Sequence, residues 1–253
     1  MENRRKFIHS ILMSAGILYL HPLQAGGSSS STSLKKTESI RLRQNDVILF
    51  QGDSITDVGR DRETKEANHV NGLGKGYPFL TSAKLLNDFP KHRLKIYNRG
   101  ISGNKVPQLQ ERWEEDCLLL HPNVLSILIG VNDYWHKRGG NYEGNAQTFK
   151  SQYRELLEGT LKELPEVKLI IGEPFVIKGV KHVTDDWFPE IEEYQQAVQA
   201  IASEFNALLL PYQKIFDEAC KMADGAYWTS DGVHPTLAGA ELMSEAWLQF
   251  IKR

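Results

Sequence analysis

Short apolar runs alternate along this chain with longer segments whose apolar residues recur at helical spacing. The clearest helical segment carries Phe149, Tyr153, Leu157 and Leu161 on one face. Strands that alternate with helices form βαβ units, and right-handed crossovers then place helices on both faces of a parallel sheet. The sequence therefore predicts one doubly wound, three-layer α/β/α domain. The runs predicted as strands are Val47–Phe50, Leu94–Tyr97, Val124–Ile129, Val167–Ile171 and Ala207–Leu210.

Four further apolar stripes predict helices, each with one face in the core rather than at a cofactor. The stripes are Phe79, Ala83, Leu86 and Phe89; Val106, Leu109, Trp113 and Leu120; Ile191, Tyr194, Val198, Ile201 and Phe205; and Leu237, Ala240, Trp247, Phe250 and Ile251.

The start of the chain is typical of a targeting segment. A basic cluster, Arg4–Lys6, precedes a mostly apolar stretch that is short for a membrane span of about 20 residues. The paired arginines resemble a twin-arginine signal. We expect residues 1–25 to be an export signal, 26–39 a Gly/Ser-rich tether and 40–253 the folded domain of a periplasmic or extracellular protein without a stable membrane anchor. An uncleaved amphipathic anchor is the alternative.

The composition narrows the class of protein. Among 253 residues 41% are apolar and 25% charged, which excludes a disordered chain, and the net charge of −2 offers no basic field for nucleic acid. Two cysteines, Cys117 and Cys220, are too few for a disulfide framework. They could pair in an exported protein, but their helix-like contexts favour buried free thiols. The sequence does not indicate an oligomeric state.

Polar strings follow the predicted strands, and in doubly wound folds ligands bind at the carboxyl ends of the strands. A serine, an amide, an acid and a histidine would therefore meet at the edge of the sheet where the strands end. We call this ligand-accessible edge the mouth. The strings are Gln51–Asp57, Asn98–Asn104, Gly130–Trp135 and Gly172–Phe175, with Asp231–Pro235 before the last predicted helix.

Each string also has a purely structural interpretation. The Ser54 string could be a capped turn, and Asn132 or Asp133 could cap the next helix. Gly100 and Gly103 could serve only as turn residues. Taken together, however, the residue types match acyl transfer. A serine needs an imidazole to take its proton, the imidazole needs a carboxylate, and a tetrahedral oxyanion needs fixed N–H donors.

The strings resemble, in order and spacing, the four sequence blocks of the SGNH hydrolases, also called GDSL esterases, and extend from Gly52 to Pro235. The resemblance implies a five-stranded sheet in the order 2-1-3-4-5. It also implies Ser54 as nucleophile, His234 as general base and Asp231 as its orienting carboxylate. The implied oxyanion hole consists of the backbone N–H groups of Ser54 and Gly103 and the side-chain amide of Asn132.

No metal site or cofactor is expected, because the histidines are scattered and no His-Glu-x-x-His string occurs. Long loops are expected after three strands, at 57–76, 134–145 and 173–189. Aromatic residues in and near them suit the apolar faces of sugar rings, although some could only anchor the loops. The residues predicted to contact substrate are Tyr134, Trp135 and Trp228.

These observations favour a serine esterase that hydrolyses short-chain, above all acetyl, esters on a polysaccharide or oligosaccharide. Its partner would be a small-molecule or polysaccharide ester, not nucleic acid. A lysophospholipase or acyl-thioesterase would use the same triad with an apolar acyl groove. A non-catalytic carbohydrate-binding protein is the alternative from another class.

Overall fold

A five-stranded parallel sheet in the order β2-β1-β3-β4-β5 forms the centre of the protein, as predicted. The computed structural model describes residues 39–252. The predicted export signal, residues 1–25, and nearly all of the predicted tether, residues 26–39, lie outside the described residues. The strands are β1 Val47–Gly52, β2 Lys95–Asn98, β3 Val124–Leu128, β4 Lys168–Gly172 and β5 Leu208–Leu210.

The register of the sheet explains why the strands are apolar runs. Ile48 of β1 pairs with Ile96 on one side and with Val124 on the other, and all three are buried. A strand covered by helices on both faces buries successive side chains rather than alternate ones. The five predicted strands are confirmed, with ends shifted by one or two residues.

Eleven α-helices lie within residues 39–252 and connect or cover the strands. They are α1 Ser54–Asp57, α2 Val70–Leu73, α3 Tyr77–Asp88, α4 Val106–Glu111, α5 Trp113–Asp116, α6 Val131–Arg138, α7 Ala146–Glu163, α8 Glu190–Glu204, α9 Tyr212–Ala219, α10 Gly225–Trp228 and α11 Leu237–Leu248. Within this part of the chain, every helix is too short or too polar to cross a membrane.

The helices form two layers, one on each face of the sheet. On one face α3 packs against α11, where the Trp247 indole N–H donates to Ser126 Oγ of β3 at 3.0 Å. On the other face α7 packs against α4 and α8, and Trp113 donates to Thr160 Oγ1 at 2.9 Å. The predicted three-layer α/β/α architecture is confirmed.

The predicted core faces of α7 and α8 are confirmed: the stripes from Phe149 and from Ile191 are buried, apart from Leu161 and Phe205, which are half-buried against the core. The face predicted for α3 is confirmed only in part: Phe79, Leu86 and Phe89 are half-buried against the core, but Ala83 is exposed. The fully buried face of α3 instead carries Tyr77, Thr81 and Leu85. Tyr77 and Thr81 can be buried because their hydroxyls have hydrogen-bond partners in the core, Thr56 for Tyr77 and Ser244 for Thr81.

Two further differences concern the ends of helices. Leu237 was expected in the core, but it begins α11 with 74% of its surface exposed. The loop expected over 134–145 starts only after Arg138, since α6 continues through Tyr134.

The two ends of the described chain lie together, because Ile40 forms a parallel bridge with Ile251 beyond the end of α11. Cys117 is buried and Cys220 half-buried, and both thiols are free. The expectation that the cysteines remain free thiols is confirmed, although Cys220 is not fully buried.

Candidate active site

Ser54, His234 and Asp231 form one hydrogen-bonded chain at the carboxyl end of β1. Ser54 Oγ lies 2.8 Å from His234 Nε2, and His234 Nδ1 lies 2.7 Å from Asp231 Oδ2. Ser54 and His234 are partly exposed, so a ligand can reach the serine hydroxyl. The structure thus joins three side chains that are up to 180 residues apart in sequence.

The tight turn between β1 and α1 places Ser54 at the carboxyl end of the sheet, beside His234. Gly52 ends the strand, and a Cβ there would stand 2.3 Å from the Leu128 carbonyl oxygen, so only glycine fits. Asp53 then caps α1 by accepting the Ile55 N–H at 3.0 Å. Ser54 is therefore the first residue of a helix, where backbone N–H groups have no partner within the helix.

A tight loop of four residues brings Asp231 and His234 together. Asp231 Oδ1 accepts the backbone N–H groups of Val233 at 2.9 Å and His234 at 2.8 Å, while its Oδ2 faces the imidazole. Burial alone would raise the pKa of Asp231, but these hydrogen bonds outweigh it and hold the pKa below its ordinary value. The carboxylate therefore stays ionised beside the imidazole at neutral pH.

Gly103 lies on the loop after β2, and Asn132 is the second residue of α6, the helix that follows β3. Gly103 adopts a φ of +82°, and nothing stands within 4 Å of the place a Cβ would take, so this position opens onto free space. Within residues 39–252 its N–H makes no hydrogen bond. The Asn132 side-chain amide donates to the Asn104 carbonyl at 3.2 Å, which leaves its second N–H for another acceptor.

Two buried carboxyls stand directly beside these groups. Asp53 precedes Ser54 and is 1% exposed, and Asp133 follows Asn132 and is fully buried. Burial raises the pKa of Asp53 to about 7, against the hydrogen bond from Ile55, with a contribution from the neighbouring Asp133. Burial likewise raises the pKa of Asp133 to about 7, against the hydrogen bond from Val106.

Of the three residues predicted to contact substrate, only Trp135 lies at the mouth. Its half-buried ring is centred 6.5 Å from the His234 ring and also packs on His182 and Trp187. The prediction for Tyr134 is wrong: it is fully buried and donates to the Trp187 carbonyl at 3.0 Å.

The prediction for Trp228 is also wrong, because its side chain is only 2% exposed. Its carbonyl accepts the Thr236 N–H at 2.9 Å and so helps to hold the start of α11 beside the Asp231–His234 loop. An aromatic ring that lies near the site in sequence can be buried when the core has room for it. The position of the residue in the sequence does not show whether its ring faces the core or the site.

Sequence reasoning missed the role of Asp57. Its Oδ2 accepts both the backbone N–H and the hydroxyl of Ser102, each at 2.9 Å, and thereby ties α1 to the loop that carries Gly103. The signal was present in the sequence, since Asp57 lies three residues after Ser54 in the same string. Within residues 39–252 no group of three or more His, Cys, Asp or Glu side chains is arranged to hold a metal ion.

Comparison with known proteins identifies the family of this chain. The model of the GDSL-like lipase/acylhydrolase family matches residues 50–242. An acetylxylan esterase of Geobacillus stearothermophilus is 34% identical over 214 residues, which cover 84% of this chain and 96% of that protein.

Solved structures show the same likeness. A Parabacteroides merdae protein assigned as a GDSL-like lipase has a TM-score of 0.82 and 45% identity, covering 84% of this chain and 98% of that one. The crystal structure of the acetylxylan esterase Axe2 from G. stearothermophilus has a TM-score of 0.74 and 32% identity, covering 85% of this chain and 97% of that one. Further structures of Axe2 are of catalytic mutants in which a serine, an aspartate or a histidine is replaced by alanine. This chain thus belongs to the GDSL-like lipase/acylhydrolase family and is an SGNH-type carboxylic ester hydrolase.

Proposed function

We propose that the protein removes acetyl groups from carbohydrate, with Ser54 as nucleophile, His234 as general base and Asp231 as the carboxylate that orients the imidazole. The hydrogen-bonded chain from Ser54 through His234 to Asp231 carries this proposal. The catalytic mutants of Axe2 concern the same three residue types, and its aspartate and histidine are three positions apart, as Asp231 and His234 are.

The geometry supports a two-step reaction. His234 Nε2 takes the Ser54 hydroxyl proton while Oγ bonds to the acetyl carbon, and the same proton then goes to the departing sugar oxygen. A water molecule next gives a proton to His234 and attacks the acetyl-serine. As the tetrahedral intermediate collapses, His234 returns that proton to Ser54 Oγ, and acetic acid leaves and ionises to acetate in solution. Asp231 fixes the tautomer that presents Nε2 to the serine and stabilises the imidazolium.

We further propose that the oxyanion of each tetrahedral intermediate lies among the Ser54 N–H, the Gly103 N–H and the Asn132 amide. Three fixed donors need no reorganisation as charge develops, which is why such sites lower the barrier. The free space beside Gly103 and the remaining N–H of Asn132 support this assignment.

The carbohydrate acetyl substrate is supported by the acetylxylan esterase relative and by the Trp135 ring close to His234. A flat apolar ring at a mouth suits the face of a sugar. Trp135→Ala should therefore raise KM for an acetylated xylo-oligosaccharide and leave KM for a small aryl acetate nearly unchanged.

The lipolytic alternative needs an apolar groove for the acyl chain, and the candidate cavity within residues 39–252 has none of Ser54, Asp231 and His234 in its lining. This cavity of about 390 Å³ lies between the loop after α1 and the start of α11, and Phe79, Leu80, Val70 and Leu237 contribute apolar surface to it. If this cavity accepted acyl chains, octanoate esters would be hydrolysed with higher kcat/KM than acetate esters. We expect the reverse order.

An organophosphorus serine probe together with released-acetate assays tests the proposal. The probe should add one mass tag at Ser54, and Ser54→Ala should abolish both labelling and acetate release from acetylated xylan. Ser203→Ala, at an exposed helical serine, is the matched control and should behave as wild type. Labelling at Ser102 or Ser230 would contradict the assignment. Sugar binding without any Ser54-dependent turnover would favour a carbohydrate-binding protein.

A further inference from the structure

Asp133 is a fully buried carboxyl that the proposed reaction does not use. Its Oδ1 accepts the backbone N–H of Val106 at 3.2 Å, and among the described residues its Oδ2 has no hydrogen-bond partner. Burying a carboxyl with one oxygen unpaired costs free energy that an apolar side chain of similar size would not cost, so the contact that Oδ1 makes is of interest.

The contact that Asp133 makes links the starts of two helices, α4 and α6. Val106 is the first residue of α4, so its N–H has no acceptor within the helix and would otherwise be buried without a partner. One residue earlier on α6, the Asn132 amide donates to the Asn104 carbonyl. Consecutive residues at the start of α6 therefore hold Asn104 and Val106, which are alternate residues of one segment.

This segment follows Gly103 directly. Between its two attachments, the Lys105 N–H donates to the Gln108 side-chain oxygen at 3.0 Å, so the backbone from 104 to 106 has three fixed contacts. Consecutive Cα atoms are about 3.8 Å apart, so a shift of Val106 is passed on to Gly103 within three residues. The position of the Gly103 N–H relative to Asn132 thus depends on the contact between Asp133 and Val106.

We propose that Asp133 is a positioning residue that keeps the two parts of the oxyanion hole, the Gly103 N–H and the Asn132 amide, at one fixed separation. The proposal rests on the oxyanion hole assigned under the proposed function. Oxyanion donors act only when they are aimed at the place where charge develops, so a loosened segment reduces transition-state stabilisation and leaves substrate binding largely intact.

The test compares Asp133→Ala with Asp133→Asn, because the asparagine oxygen can still accept the Val106 N–H and the alanine cannot. Active sites are counted by the end point of organophosphorus labelling, so that unfolded protein does not contribute. We expect kcat per active site to fall about tenfold in Asp133→Ala with KM within twofold of wild type, and to recover most of that loss in Asp133→Asn. Affinity for an alkylboronic acid, which forms a tetrahedral adduct on serine, should weaken in parallel with kcat.

Glu173→Ala is the matched control, since Glu173 is another buried carboxyl that accepts a backbone N–H, that of Gln213, but lies after β4 and outside the proposed oxyanion hole. It should lose stability without losing kcat per active site. Wild-type kcat per active site in Asp133→Ala, or an equal loss in the alanine and asparagine variants, would overturn the proposal. Wild-type protein that neither labels at Ser54 nor releases acetate would instead refute the proposed function.

Discussion

The carboxylate of Asp57 accepts two hydrogen bonds from Ser102, one from the backbone N–H and one from the hydroxyl, both at 2.9 Å. The oxygen that accepts them, Oδ2, also pairs with Arg62, whose side chain is 46% exposed, and Oδ1 pairs with the buried Arg60. Because α1 begins at Ser54 and Gly103 follows Ser102, this one carboxylate connects the proposed nucleophile with a proposed oxyanion donor.

Replacing Asp57 should therefore affect both stability and rate. Asp57→Ala leaves Arg60 buried without its acid, a change that typically costs about 3 kcal/mol in unfolding free energy, and it frees the Ser102 loop. We expect kcat on an aryl acetate to fall, with unfolding in urea at lower concentration. Arg62→Ala removes only the exposed partner and should stay within about 0.5 kcal/mol of wild type. Indistinguishable behaviour of the two variants would show that the link has no function.

Asn132 should act on the transition state rather than on substrate binding. An amide aimed at a developing oxyanion contributes about 2.7–4 kcal/mol, or roughly 10²–10³ in kcat. Asn132→Ala should lower kcat and kcat/KM together, with KM nearly unchanged. If Asn132 were only a structural residue at the start of α6, the variant would lose about 1 kcal/mol of unfolding free energy and keep a normal kcat. Steady-state kinetics and thermal unfolding of the same preparation separate these outcomes.

Glu173 should make the protein less stable as the pH rises towards neutrality. Burial raises its pKa from 4.5 to about 7, and hydrogen bonds from Gln199 and Gln213 offset only part of that effect. Glu173 ionises near pH 4.5 in the unfolded chain and near pH 7 in the folded one. Its neutral form therefore contributes fully to the free energy of unfolding below pH 4.5, and this contribution is lost as the pH rises through 7. Over that interval Glu173→Gln should remove up to about 3 kcal/mol of the decline in unfolding free energy. Urea unfolding at several pH values measures this, and parallel curves for variant and wild type would contradict it.

Export should depend on the paired arginines at the start of the chain, which lie outside the described residues. Changing Arg4 and Arg5 to lysine should leave precursor in the cytoplasm if the signal is of the twin-arginine type. Cell fractionation followed by mass measurement of the exported form provides the test. Unaltered export would favour an ordinary secretory signal.

The central strands were predictable because a strand that is buried on both faces of the sheet consists of consecutive apolar residues. Ile48 and Val124 belong to such runs, and the branched side chains exclude most other interpretations. The residues of the proposed triad were found because the polar strings that contain Ser54, Asp231 and His234 resemble family blocks. The hydrogen bond between Asp231 and His234 is local, but the one between Ser54 and His234 joins residues 180 apart, and no local pattern encodes it.

Tyr134 and Trp135 were harder to assign because α6 from Tyr134 onwards was interpreted as part of a loop. In a helix, Asn132 and Trp135 are three residues apart and share a face, whereas Tyr134 points towards α8 and packs on Tyr194. Helical spacing would have separated Trp135 from Tyr134. The inward face of α3 was missed for another reason: its hydroxyl-bearing residues are buried by partners such as Ser244 that are distant in sequence.

The bridge between Ile40 and Ile251 determines how the enzyme can be attached to a surface. Helix α11 begins three residues after His234, and its 12 residues extend over about 18 Å, so its far end lies well away from His234. Ile40 is fixed beyond that far end. A carrier, bead or affinity handle joined ahead of Ile40 is thus attached at the end of α11 that is far from His234. It leaves the surface around Ser54 and His234 accessible to a large polysaccharide.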